Sequence, residues 1–473
     1  MNERSERTGG QGSVESPVSP QEMVDRALEL SRNDGCVVLV DEGSTANLRF
    51  AGNTLTTNGV ARSSRLTVIS IAGQGVGVVS RSAVREDQLA GVVAAADAAA
   101  RAAQPAEDAR DLVAGVPASP DWSEPAQPTD IGVFRGFAPA LGDAFAAAEA
   151  GGGKLYGYAQ HKLTTTFLGS STGLRLRHDQ PAGKLELNAK SADMKRSAWT
   201  GVSTPDFTDV DVAALGSTLA QRLEWAKTRI DLPAGRYETL LPPSAVADLM
   251  LYMYWSSGAR DALDGRSVFG KPGGGTRVGE QLATLPVSLS SDPGAPDIGC
   301  APFVIAHASG RESSVFDNGL PLGPTGWITD GRLDALLQTR HSAGLSGLPV
   351  TPSIGNLIMS GPGDGSSLAE MIASTRRGLL VTCLWYIREV DPQALLLTGL
   401  TRDGVYLVEH GEIVGEVNNF RFNESPVDLL GRLAEVGASE RTLAREWSDY
   451  FQNTVMPPVR VPDFNMSTVS QAS

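Results

Sequence analysis

Beyond Leu241 the chain changes character: glycine and proline become frequent and the apolar runs shorten to strand length, which constrains this half to short strands joined by tight turns. The stretches "APFVIAH", "LLVTCLWYIREV", "ALLLTGLTRDGVYLVEHGEIVGEVNNFRF" and "PPVRVPDF" alternate with turn residues. Within them, "EHGE" lies between two β-rich runs and predicts a hairpin. The expectation for residues 233–473 is a largely antiparallel β domain.

The first half reads differently. "SPQE" supplies a Ser19 N-cap, Pro20 in the first helical position and Glu22 three residues after the cap, so order is expected to begin at Ser19. "CVVLVDE" reads as a buried strand and "ANLRFAGNTLTTNGV" as a strand and turn. "RLTVISIAGQGVGVVSRS" reads as two strands around a glycine-rich turn, and "EDQLAGVVAAADAAARAA" as an alanine-rich helix. These make an N-terminal α/β domain over 19–104, after a polar tail over 1–18 with the composition of disorder. A Pro-, Ala- and acid-rich connection follows over 105–131, then a segment over 132–232 with a helix at "FRGFAPALGDAFAAAEA", strand-like runs, and an amphipathic helix at "DVDVAALGSTLAQRLEWAKTRI". The fold class expected is α+β.

Composition narrows the function. The 473 residues have room for two or three domains, with 41% hydrophobic and 20% charged residues. A net charge of −14 argues against a general nucleic-acid binder, and any anionic ligand would have to enter through a local exception. Positive charge is carried mostly by arginine, with only seven lysines, a usage that together with abundant Ala and Gly points to a GC-rich bacterial genome. The three cysteines, Cys36, Cys300 and Cys383, lack CxxC spacing and indicate neither a disulfide framework nor a thiolate zinc knot. No apolar run approaches membrane-spanning length and no secretion signal opens the chain, so a reducing cytoplasm is the expected location.

No self-contained active site can be assembled from the residues. The nearest histidines, His161 and His178, are 17 residues apart, so no helix presents a His pair to a metal. There is no G-x-S-x-G elbow, and Cys383 in "LLVTCLWYI" reads as a small hydrophobe. His307 and His341 are positioned to line a pocket or to serve structure, and His410 falls in a hairpin turn. "AGQGVGVV" is followed by a β-run, which favours a hairpin turn over a phosphate loop; "GKPGGG" lacks Walker spacing and reads as a mobile loop. Asp261 and Asp264 share a helix face that is expected to be solvated.

Four segments, "GRYETLLPPSAVADLM", "ALDGRSVFGKPGGGTRVGEQLA", "SVFDNGLPLGPTGWITDGRLDALLQTRHSAG" and "PSIGNLIMSGPGDGSSLAEMI", resemble in that order the C-terminal half of TldD/PmbA proteins. "NLRFAGNTLTTNGVARSSRLTVISIAGQGVGVVS" and "LYGYAQHKLTTTFLGSSTGLRLRH" resemble the family's N-terminal and middle segments, so the likeness runs from residue 20 to about 465. Family members of the TldD kind carry HExxxH on the helix after the "LLPPSAV"-like strand, with a later cysteine, and hold a catalytic metal. Anchored on "GRSVF", the histidine and glutamate positions fall on Met250, Leu251 and Trp255, and "DYFQNTVMPPVRVPDFNMS" contains no cysteine. The chain therefore resembles the metal-free TldE (PmbA) kind. One stretch departs from the family pattern, "WYIREVDPQALLLTGLTRDG" before the final hairpin, and leaves the substrate route open.

The resemblance implies no catalytic residue, no metal and no cofactor in this chain, with zinc expected in a TldD-like partner and a heterodimer acting on unfolded or extended peptides. The polar residues Asp317, Asn318, Arg340 and Asn356 in the glycine-rich loops are the candidate channel-lining groups; as Asx-type turn stabilisers they would serve the loops instead. Two other functions fit the same residues: a stand-alone scaffold holding a peptide or metabolite, or a subunit of a complex that hydrolyses a small-molecule amide in natural-product processing. Neither nucleic acid nor membrane is an expected partner.

Overall fold

The computed structural model describes residues 18–470, so nearly all of the expected tail lies outside the described residues. Helix α1 (Pro20–Leu30) opens on the predicted capping box: Ser19 Oγ accepts from Glu22 N, and the Glu22 carboxylate accepts from Ser19 N. Strands β1 (Gly35–Ala51), β2 (Leu55–Ala72) and β3 (Gly75–Ser82) follow, then α2 (Glu86–Ala102) and α3 (Phe137–Ala150). Next come β4 (Lys154–Ser170), β5 (Arg175–Lys190), β6 (Ser197–Thr204) and α4 (Val212–Trp225). All six strands form one antiparallel sheet in the order β3-β2-β1-β4-β5-β6. The β1–β4 pairing from Val37 opposite Ser170 to Ala51 opposite Tyr156 stitches the segments 19–104 and 132–232 into a single sheet.

The burial of β1 explains its sequence. Cys36, Val38 and Val40 face α1 and α2, while Val37 and Leu39 face a second cluster with Phe303, Val315 and Phe316 from the C-terminal half. Covered on both faces, this part of the strand is continuously apolar. Farther along, Ala46, Leu48 and Phe50 alternate with more polar residues and pack under α3 and α4 with Phe134, Leu141 and Leu219.

The "AGQGVGVV" stretch is the β2–β3 hairpin and holds no phosphate loop. Gly73 supplies the turn's positive φ, and Gly75 and Gly77 serve packing: a Cβ on Gly77 would stand 2.2 Å from the Ala96 carbonyl oxygen of α2.

In the C-terminal half β7 (Arg229–Ile230), β8 (Gly235–Leu241) and helix α5 (Pro243–Trp255) introduce two further sheets. The larger runs Leu384–Asp391, Leu396–Thr401, Phe420–Glu424, Val459–Val469, β8, Arg377–Val381, Val405–Glu409, Glu412–Val417, β7, with Glu435–Val436 joined to Val459–Val469. The smaller contains six short strands, including Ser288–Ser291, Thr325–Thr329 and Leu357–Ser360. Pairing is largely antiparallel, as expected, with parallel exceptions at β8 and β7 in the larger sheet and at Leu357–Ser360 in the smaller. The predicted hairpin turns at His410 and Gly411, both with positive φ, as a two-residue turn matched to strand twist requires.

Gly77→Ala is expected to destabilise the protein by about 1–3 kcal/mol, because the helix backbone must retreat from the sheet to admit a methyl group. Urea unfolding of the two proteins measures the difference.

Candidate functional site

Helix α5 is where the sequence reading located altered chemistry. It starts at a proline pair, Pro242 and Pro243, whose fixed φ suits a helix start, and it is apolar on nearly every side. Its residues form one continuous core with Leu289, Trp327, Ile328 and Met359 of the smaller sheet and Leu379, Val381, Phe420 and Phe464 of the larger. Met250 and Leu251 are fully buried in that core. Trp255 is half-buried, with its ring edge-on to Trp447 at 5.3 Å and to Phe451 at 6.3 Å. Thioether, isobutyl and indole groups offer no ligand for a hard hydrolytic cation, so these three positions do not fit a zinc centre.

One acid remains on the helix. Asp248 is fully buried; its Oδ1 accepts the Glu446 amide at 2.9 Å, while Oδ2 has no partner. Desolvation by burial raises the Asp248 carboxyl well above the ordinary range, which favours its neutral form. The Glu446 carboxylate in turn accepts the amides of Tyr386 (2.9 Å) and Ile387 (3.1 Å) in the strand Leu384–Asp391, and Arg388 Nη1 at 3.2 Å. That strand is the edge of the larger sheet and belongs to the stretch that departs from the family pattern. Its pairing with Leu396–Thr401 breaks between Trp385 and Arg388, where Tyr386 takes a left-handed conformation (φ 56°) and is 55% exposed beneath the Arg388 guanidinium. Val390 is exposed on the same strand.

Beside Glu446, Arg445 lies between the rings of Trp199 and Trp385 and pairs with Asp403 at 2.7 Å. Burial opposes ionisation of Asp403, but Arg445, the Ser197 hydroxyl and Arg402 together outweigh it and hold the carboxyl below its ordinary range. Cys383 lies buried against this guanidinium, and burial pushes its thiol up to about 12, so it carries no thiolate at neutral pH. Lys184 of β5 reaches Asp449 (2.6 Å), Ser448 Oγ (3.0 Å) and Glu186 (3.1 Å), tying the N-terminal sheet to the same segment. This polar seam was missed at the sequence level. Its one visible signal was a lone aspartate in an otherwise apolar helix.

The four loop residues lie inside the fold. Asp317 accepts Arg340 Nε at 2.6 Å and Arg340 N at 3.0 Å, and Arg340 Nη2 donates to the Asp111 carbonyl at 3.0 Å. Asn318 exchanges hydrogen bonds with Ala306 through both of its amide atoms. Asn356 stands apart from these, pinned to Asp292 and Ile298. Asp317, Asn318 and Asn356 are buried with their side-chain polar atoms engaged by the chain itself, and only Arg340 is partly open. The histidines do not converge either: His161 bonds Thr129 and Pro205, His307 meets Asp41 and Thr67, and His341 meets Arg260. Asp261 and Asp264 are not left to solvent, because Arg311 clamps both at 2.6 Å. "GKPGGG" closes as a turn, with Lys271 N bonded to the Gly275 carbonyl.

A family model described as the PmbA/TldA metallopeptidase C-terminal domain matches residues 234–468, the half built around α5. The chain belongs to the TldD/PmbA family. Solved structures extend the family fold over nearly the whole chain. TldE from Thermococcus kodakarensis superposes with a TM-score of 0.76 at 15% identity, covering 94% of this chain and 99% of that one. A Thermotoga maritima protein named as a candidate modulator of a DNA gyrase gives 0.76 at 18% identity, with the same coverage. A Bacteroides thetaiotaomicron protein named likewise gives 0.75 at 14%, covering 95% and 99%. At such identities the likeness carries the fold. Among curated proteins no sequence matches. Among the described residues no helix is long and apolar enough to cross a membrane.

The raised carboxyl on the family helix makes a pH prediction. A carboxyl with a raised folded-state pKa favours the fold at low pH, and that contribution is lost as pH rises from the ordinary carboxylate range near 3.8 toward the raised value. Asp248→Asn, which cannot ionise, is therefore expected to gain melting temperature relative to the unsubstituted protein as pH goes from 5 to 8. Paired thermal melts across that range check it.

Proposed function

We propose that this chain is the metal-free subunit of a two-subunit metallopeptidase of the TldD/TldE kind, paired with a TldD-like subunit that holds the zinc. The observation that carries this reading is the filling of α5. Where a metal-bearing subunit presents its HExxxH ligands, this helix buries Met250 and Leu251 in a core shared by both C-terminal sheets. Each such side chain contributes roughly 1.5–3 kcal/mol by leaving water, so the position serves stability.

The substrate side of the reading rests on the edge strand Leu384–Asp391. Its outer edge has no neighbouring strand among the described residues, and beyond the Tyr386 and Ile387 amides that Glu446 holds, an extended peptide can add to such an edge through main-chain hydrogen bonds that are indifferent to sequence. Glu446 holds the bulge at Tyr386 and presents the exposed ring beside that edge. Unfolded peptides are the substrate class that such a wall suits.

The test is reconstitution. The purified chain alone is expected to contain no stoichiometric zinc and to leave casein intact, whereas mixing with a TldD-like chain should give a stable complex that degrades casein. Tyr386→Ala, which removes the exposed ring and keeps the amide to Glu446, should lower casein turnover by the complex several-fold without changing its zinc content. Zinc or cleavage in the isolated chain would overturn the assignment, as would a TldD-like chain that ignores this one.

A further inference from the structure

A second polar feature lies at the opposite end of β8 from α5: an open basin of about 560 Å³ walled by Arg236, Arg277, Asn423, Asp428, Arg432 and Asn465. Strand register builds its floor. Asn465 stands directly opposite Arg236, and the Phe422–Met466 pair puts Asn423 next to Asn465. The three side chains alternate with Phe422, Phe464 and Met466, which point into the core, so they form a polar row across three neighbouring strands. At ordinary strand spacing the row spans about 10 Å.

Most charges around the basin cancel locally. Glu424, buried, pairs with Arg432 and accepts the Asn465 amide at 2.7 Å; Glu280 pairs with Arg277 at 2.9 Å. Three groups are left over. Arg236 bonds the Asp463 carbonyl at 3.0 Å and forms no ion pair among the described residues, feeling Glu424 only through space. Asp428 is exposed and has neither hydrogen bond nor ion pair among the described residues. Asn423 Oδ1 is buried without a donor. A simple anion would meet Arg236 but be repelled by Asp428, and a simple cation would meet the reverse. The complementary ligand carries both charges and hydrogen-bond donors.

We propose that this basin binds a zwitterion, an α-amino acid or short peptide, with its carboxylate on the Arg236 guanidinium and its ammonium on the exposed Asp428 carboxylate. Arginine suits the carboxylate because its planar fork can donate two parallel hydrogen bonds. The choice of peptides as the ligand class rests on the proposed peptidase role; the charge pattern does not. Here is the local exception that an acidic chain needs in order to hold an anionic group.

Calorimetric titration of the full chain with Ala-Ala, N-acetyl-Ala-Ala, Ala-Ala amide and free alanine tests it. Ala-Ala is expected to bind, and removing either charge by a cap should weaken binding about tenfold, the scale of one charge-assisted contact. Arg236→Gln should erase the distinction between Ala-Ala and its amide, and Asp428→Asn that between Ala-Ala and its acetylated form. Circular dichroism melts of both variants should match the unsubstituted protein, since the two side chains are exposed. Free alanine binding as tightly as Ala-Ala would assign the site to an amino acid, and weaker binding to a peptide. No binding of any probe, or equal binding of capped and uncapped dipeptide, would overturn the proposal. The readout is binding by this chain alone. An inert basin in an active reconstituted complex therefore rejects the site only, while a binding basin with no cleavage rejects the subunit assignment only.

Discussion

The C-terminal half depends on the burial of α5 between two sheets. A helix that is apolar around its circumference is stable in water only when other elements enclose it, and here strands on both sides do so. The helix thereby sets the separation of the sheets, the position of the loop that Asn356 pins, which Tyr254 bonds at Ile354, and the place where the edge strand Leu384–Asp391 comes to rest. Its side chains interlock at the density of a protein interior, and such a core tolerates little change of volume.

Into this apolar setting the chain admits a narrow polar seam. Asp248, Glu446, Arg445 and Asp403 are each buried or nearly so, and their bonds join the helix, the edge strand and the Trp199 region of the N-terminal sheet. Burying ions is expensive, and two devices limit the expense: burial shifts Asp248 toward its neutral form, and Arg445 meets both a carboxylate and two aromatic faces. The seam gains orientation. Arg445 and Glu446 are adjacent in sequence, so fixing one against Asp403 aims the other at the Tyr386 bulge.

Much of this architecture was legible in the chain because it is written in local chemistry. The Ser19 capping box, the "EHGE" hairpin, the alanine-rich α2 and the continuous "CVVLV" strand each follow from residues within a turn or two of one another. Nothing local announces that β1 pairs with β4 and so merges the first two segments into one sheet, because that contact spans more than a hundred residues and shares its alternation pattern with any half-buried strand. The loop polar groups show the same boundary. Asp317, Asn318 and Asn356 looked available because glycine-rich loops usually run on the surface, whereas these loops are covered by the N-terminal sheet and by each other. Cys383 was correctly placed in the core, but the guanidinium against its sulfur comes from a residue far along the chain.

The strand Val459–Val469 has a consequence for biosynthesis. It lies in the middle of the larger sheet, between Phe420–Glu424 and β8, and it supplies Val459, Val461, Phe464 and Met466 to the central core. A ribosome delivers β8 long before it delivers this neighbour, so the nascent sheet waits with an open seam and α5 half-clad. Completion of the C-terminal half thus waits for the segment after Met456, and until it arrives the growing polypeptide exposes the kind of surface that chaperones hold.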